Sequence, residues 1–138
     1  MRAVVTGGAG FIGSTLVDRL LADGHDVVVL DDLSTGSEAN LADARSTAGD
    51  RLRLEVVDLR EDRSIELIAG AGAEVVYHLA AQADVQASVE NPVNDAMVNV
   101  LGTLRVLEGA RAGGTRKVVA AASGGTLYGD ADPSLLPL

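Results

Sequence analysis

Three glycines, Gly8, Gly10 and Gly13, stand at G-x-G-x-x-G spacing within Thr6-Gly7-Gly8-Ala9-Gly10-Phe11-Ile12-Gly13. The chemistry such a turn serves is holding a pyrophosphate on bare main chain. The first glycines permit a tight turn with positive φ. Gly10 presents no side chain to an approaching phosphate, and Gly13 allows the next helix to pack closely. The phosphates would rest on the free N–H groups at the helix head, where the helix dipole also favours negative charge. Asp31-Asp32 follows roughly 20 residues further on, the distance at which a carboxylate accepts hydrogen bonds from the adenine-side ribose. An acid there repels a 2′-phosphate, which favours NAD over NADP.

The motif means this only if a strand precedes it and a helix follows. Ala3-Val4-Val5 supplies the apolar run before it, and residues 2–6 are expected as the first strand. Ile12, Leu16 and Leu20 lie on one helical face after it, so residues 11–23 are expected as a helix ended by Gly24. Further strands are expected over Asp26–Leu30, Arg51–Val57, Glu74–Leu79 and Lys117–Ala122. Short helices are expected over Glu38–Arg45 and 61–69, the latter with Ile65 and Ile68 inward. The longest helix spans 92–112, with Asn91 as N-cap and Pro92 in its first turn. Its stripe of Val93, Ala96, Met97, Val100, Leu101, Leu104 and Leu107 is expected to be core.

Strands alternating with helices imply an α/β, doubly wound parallel sheet of Rossmann type. Right-handed crossovers and a glycine turn on the first strand predict the order 3-2-1-4-5. The glycine turn, Asp31, Asp58, Ala80-Ala81 and Ser123 then all fall on the carboxyl edge of the sheet.

Composition narrows the field. The 138 residues suffice for one domain with a real core, and 47% hydrophobic content excludes a disordered chain. The net charge of −9, with Lys117 as the single lysine, argues against nucleic acid as a partner. There is no cysteine, hence no disulfide framework or thiolate metal site. Met1-Arg2 leads straight into a strand, so no signal peptide is expected, and no apolar run approaches a membrane span. The expectation is a cytoplasmic protein. His78 ends an apolar strand with no second ligand beside it, and His25 lies in another turn, so His78 is read as a hydrogen-bonded core residue and no metal is expected.

These motifs together resemble the extended short-chain dehydrogenase/reductase family, the NAD-dependent sugar-nucleotide epimerases and dehydratases. Within it the UDP-glucose 4-epimerases look nearest, because Asp-Leu-Ser-Thr-Gly and Ser-Gly-Gly-Thr-Leu-Tyr-Gly are epimerase-like. Thr6 to Ser14 resembles the family's T-G-G-A-G-F-I-G-S and implies cofactor contacts at Gly7, Gly10, Phe11, Ile12 and Gly13. Asp31, Asp32, Ser34, Thr35 and Gly36 resemble its D-N/D-L-S-x-G segment. Asp58 and Leu59 resemble the residues that clasp the adenine ring. Leu79, Ala80, Ala81 and Gln82, after His78, resemble the loop along the nicotinamide ribose and pyrophosphate. Asn99 matches the asparagine of N-V-x-G-T. Ser123 and Thr126 are the hydroxyls that the resemblance would bring near a sugar's C4 hydroxyl, Ser123 also touching the cofactor. The implied partner is a UDP-sugar or related nucleotide sugar. The implied assembly is a homodimer through helix 92–112, beside which the family places its tyrosine helix. Without that partner helix, part of the apolar stripe would be exposed.

The resemblance also implies an acid/base pair, Tyr-x-x-x-Lys, on a helix beyond the fifth strand. Only Tyr77 and Tyr128 are present, and Ala81 and Asp132 stand four residues after them. The expectation is therefore a C-terminally incomplete, NAD-binding part of an epimerase that is inactive alone. Two alternatives are a 4,6-dehydratase or decarboxylase fragment and a non-catalytic NAD-binding module. The dehydratases carry Asp-Glu where this chain has Gly125 and Thr126.

Overall fold

Four valine-rich runs and one alternating stretch, Leu-Arg-Leu-Glu-Val, become five strands: β1 (Arg2–Thr6), β2 (Asp26–Asp31), β3 (Leu52–Val56), β4 (Val75–His78) and β5 (Lys117–Ala120). The computed structural model describes residues 1–123, Gly129 and Asp132. All four strand pairings are parallel, and the sheet order is β3-β2-β1-β4-β5, as expected. Register aligns Thr6 with Leu30 on one side and with His78 on the other, so β1 and β4 end level and β2 runs one residue further, to Asp31.

Alternation along the strands feeds two cores. Ala3, Val5, Val27 and Val29 pack under α1 (Phe11–Ala22) and α2 (Ala42–Ala48). Val4, Val28, Leu30 and Val76 pack on the opposite face with Ile68 of α3 (Arg63–Gly70) and Val106 of α6 (Gly102–Ala112). Helices on both faces make the sheet doubly wound. A fully buried side chain such as Leu30 or Ile68 contributes about 2 kcal/mol against its exposed state.

The stretch expected as one helix over 92–112 has three parts. Pro92–Ala96 (α5) follows the Asn91 cap, whose side chain accepts from the Asn94 N–H. Met97–Leu101 is a π-helical turn, and α6 continues to Ala112. A preceding helix, α4 (Val85–Glu90), was not expected; Asp84 caps it by accepting from the Ala87 N–H.

The apolar stripe corrects an expectation. Val93, Ala96, Met97, Val100, Leu104 and Leu107 are exposed and do not form core, while Leu101 is half-buried. The buried face is instead Gly102, Val106, Gly109 and Ala110. A Cβ at Gly109 would lie 2.8 Å from Ile68 Cβ, so α6 and α3 meet too closely for large residues. Other shifts are small: α2 begins after a 3-10 turn over Glu38–Leu41, Ile65 is only half-buried, and Asp31 belongs to the end of β2. Gly24 has φ +81°, matching its expected place after α1. No helix among the described residues is long and apolar enough to cross a membrane.

Candidate functional site

The carboxyl ends of β1, β2, β3 and β4 open into a cleft of about 530 Å³. Gly7, Gly10, Asp31, Asp32, Ser34, Thr35, Gly36, Asp58, Leu59, Leu79, Ala80, Ala81 and Gln82 all line it. Thirteen residues singled out from the sequence are thus gathered on one surface.

The floor is the glycine turn. Gly7 has φ +70°, and a Cβ there would lie 2.7 Å from the Ala80 nitrogen, so the turn and the 79–82 loop touch main chain to main chain. Gly13 is tighter still: its Cβ would fall 2.0 Å from the Gly7 oxygen. Gly13 therefore lets α1 close on the turn itself rather than on the strand behind it. No side chain caps the head of α1, and its first turn carries no acid. Its leading N–H groups thus remain available to an anion. Phe11 and Ile12, whose peptide groups begin this helix, carry exposed side chains and do not line the cleft.

Asp31 locks this floor to the adjoining wall. Its Oδ2 accepts from the Ala9 N–H and its Oδ1 from the Leu33 N–H, both at 2.9 Å, and the residue is buried. Leu33 holds φ +58°, a conformation uncommon for a residue with a Cβ, and the Asp31 bond sits beside it. Asp32 Oδ1 accepts from the Ser34 N–H at 2.9 Å and from its hydroxyl at 2.6 Å. Asn40 Nδ2 and the Ser37 N–H both donate to the Ala9 oxygen, tying the loop after β2 back to the turn.

Arg60 and Asn94 line the cleft and escaped the sequence reading. Arg60 Nε donates to both Asp58 oxygens at 3.0 and 2.9 Å, and its Nη1 donates to Asn94 Oδ1 at 2.8 Å. The guanidinium holds the Asp58 carboxyl below the usual carboxylate range, chiefly through these side-chain hydrogen bonds, against the opposing effect of partial burial. The signal was an arginine two residues after an acid at a strand end, but its second partner lies 34 residues away.

Asn99 stands in the π-helical turn, one shell behind the cleft. Its Oδ1 accepts from the Gln82 N–H and its Nδ2 donates to the Gln82 oxygen, each at 2.9 Å. Nδ2 also donates to Asp95 Oδ1 at 3.0 Å, as does the Ser88 hydroxyl at 2.7 Å. Ser123 is exposed and does not line the cleft. Thr126, Gly125 and Tyr128 lie outside the described residues. His78 is buried between two hydroxyls, Thr6 Oγ1 at 2.7 Å and Thr103 Oγ1 at 2.9 Å, as a hydrogen-bonded core residue.

The sheet order, glycine turn and carboxyl-edge cleft together define a Rossmann-like α/β architecture. The chain belongs to the NAD dependent epimerase/dehydratase family, whose model matches residues 3–137. It is 54% identical over 129 residues to the UDP-glucose 4-epimerase of Mycolicibacterium smegmatis, an alignment covering 94% of this chain and 41% of that protein. Among solved structures it resembles Thermus thermophilus UDP-glucose 4-epimerase in complex with NAD, with TM-score 0.84, 43% identity, and coverage of 96% of this chain and 41% of that one. It also resembles the UDP-glucose 4-epimerase of Stenotrophomonas maltophila with bound NAD and formylated UDP-arabinopyranose, with TM-score 0.88, 29% identity, and coverage of 100% and 40%. The chain spans about 40% of the length of the curated relatives it matches.

Proposed function

We propose that this chain is the NAD-binding part of a sugar-nucleotide 4-epimerase of the UDP-glucose 4-epimerase kind. The observation that carries the reading is the Asp31–Ala9 bond, which couples an acid at the end of β2 to the glycine turn at the head of α1. The fit of a dinucleotide is supported by a cradle in which Cβ atoms would collide and by main-chain donors at an uncapped helix head. In this reading the N–H groups of Phe11, Ile12 and Gly13 receive the pyrophosphate, while Gly10, whose own N–H donates to the Gly7 oxygen, lets it approach the main chain. Asp31, with Asp32, accepts from the adenine-side ribose hydroxyls, and Ser34, Thr35 and Gly36 flank it. Asp58 and Leu59 bound the adenine, while Leu79 to Gln82 bound the nicotinamide half. Asn99 acts through Gln82, and Ser123 and Thr126 supply hydroxyls toward the cofactor and sugar.

When bound, NAD would supply the hydride acceptor and donor for oxidation and re-reduction at the sugar's C4. The chain's own residues orient and bind; the proton at the C4 hydroxyl needs a base. No tyrosine in these 138 residues has a lysine four positions later, so the chain by itself is expected to bind NAD without turnover. The same reading gives the surface over residues 92–112 to a second subunit, supported by the outward-facing Val93, Met97, Val100, Leu104 and Leu107.

Calorimetric titration with NAD, NADP and ADP tests the proposal, alongside an assay for UDP-galactose conversion and sedimentation of the chain. Saturable binding of NAD in preference to NADP, with no conversion, is the expected result. Failure to bind NAD overturns the cofactor reading, and conversion by this chain overturns its inactivity. Sedimentation as a monomer at all concentrations shows that residues 92–112 alone do not pair, and leaves the dimer to the full-length protein.

A further inference from the structure

His78 ends β4 beneath the cleft, and the proposed chemistry does not use it. Its surroundings nevertheless determine where its proton sits. Thr103 Oγ1 lies 2.6 Å from the Asn99 main-chain oxygen. A carbonyl cannot donate, so the Thr103 hydroxyl proton is spent there. The 2.9 Å contact between Thr103 Oγ1 and His78 Nε2 therefore requires Nε2 to carry a hydrogen and donate it. In a neutral ring Nδ1 is then an acceptor, and its partner at 2.7 Å is the Thr6 hydroxyl. Thr6 Oγ1 in turn accepts from the Ala80 N–H at 3.3 Å. Burial independently favours the uncharged ring.

Every group in this series has its direction assigned. It runs from the Ala80 N–H through Thr6, His78 and Thr103 to the Asn99 carbonyl. One end is a peptide group of the cleft wall, and the other is the π-helical turn whose side chain holds Gln82. The loop over 79–82 is thus fastened twice to that turn, once by the Asn99 amide and once through the buried imidazole.

We infer that His78 is a positioning residue, fixed as the neutral Nε2–H tautomer, that sets the Ala80–Gln82 wall against the Asn99 turn and so pre-organises the cleft for the nicotinamide half of the dinucleotide. The inference about the cofactor rests on the function proposed above; the tautomer and the fastening of the loop do not. A static wall needs no reordering when a ligand arrives, so the fastening acts on affinity.

The test is nitrogen-15 NMR of the histidine rings of the purified, ligand-free chain, together with amide exchange over Ala80–Gln82 and NAD titration. Thr103→Val and Thr103→Ser are the paired variants. The expected result is an Nε2–H ring for His78 in the unaltered chain. Thr103→Val, which cannot accept from Nε2, is expected to speed exchange of Ala80 and Gln82 and to weaken NAD binding about five- to tenfold, as loss of one buried hydrogen bond implies. Thr103→Ser is expected to restore both. An Nδ1–H or doubly protonated ring overturns the inference. So does a Thr103→Val protein that loses thermal stability yet keeps its loop exchange and NAD affinity. If Thr103→Val does not fold, the ring spectrum of the unaltered chain still decides. If the unaltered chain does not bind NAD, the proposed function and the cofactor role of His78 fall, while the ring and exchange data still judge the fastening.

Discussion

The side-chain amide of Asn99 pairs with the main chain of Gln82 in both directions, accepting from its N–H and donating to its oxygen at 2.9 Å each. An amide is the side chain that offers donor and acceptor at this spacing with no net charge. Asn99→Asp keeps the shape but turns an oxygen toward the Gln82 carbonyl and toward Asp95. We expect Asn99→Asp to cost about 2–3 kcal/mol, more than Asn99→Ala, because it leaves acceptors facing acceptors. Urea denaturation of the two variants measures the ranking.

Two glycines should answer oppositely to the same change. Gly13→Ala would place a Cβ 2.0 Å from the Gly7 oxygen, where only main chain can yield. The expected loss is about 3 kcal/mol, with loss of NAD binding. At Gly70 the last turn of α3 has open space around the missing Cβ and no positive φ. Gly70→Ala is expected to stabilise by up to about 1 kcal/mol. Paired thermal melts decide this.

Asp31 serves two main-chain donors with its two oxygens. Asp31→Asn retains one acceptor oxygen and turns an NH2 group toward the other donor, leaving either Ala9 or Leu33 unsatisfied. A destabilisation of about 1–3 kcal/mol is expected. Because the acid is also the proposed ribose acceptor, the preference for NAD over NADP should shrink in the same variant, which competitive titration would show.

The pH profile of stability should show two acid steps. Burial pushes the His78 pKa below its ordinary 6.5, so on acidification the unfolded chain takes up a proton before the folded one does. Stability from this group is full above about pH 6.5 and declines below it. Asp58 is also depressed, below 3.8, by its hydrogen bonds to Arg60. Its contribution is present above about pH 4 and is lost as pH falls through the folded value. Arg60→Met removes the largest cause, so the Asp58 carboxyl should titrate nearer 3.8, which carbon-13 NMR would follow.

What could be read from the sequence, and what could not, follows from the range of the interactions involved. Val27, Val28 and Val29 form a run whose strand character is local, and the glycine turn anchors the sheet order. The residues around Gly7, Asp31, Asp58 and Ala80 lie at strand ends, so the topology alone brings them together. The stripe around Val100 is expected in the core by periodicity, and partly exposed only through the family resemblance that places a second helix beside it. Periodicity finds the face with the larger side chains, whereas close approach of α6 to α3 buries Gly109 against Ile68, and Gly102 turns toward Leu59. The Arg60–Asn94 and Asn99–Gln82 pairs join residues 34 and 17 apart in the chain, and residue spacing carries no record of them.

The contact of Gly7 with Ala80 has a mechanical consequence. No side chain lies between the glycine turn and the 79–82 loop at Gly7 to act as a cushion, so the two are expected to shift together. Compliance is left to the rim, where Ser34 and Thr35 are exposed and Arg60 reaches across to Asn94 through a single nitrogen. A guest of the cleft is therefore expected to enter by parting its lip rather than by spreading its base.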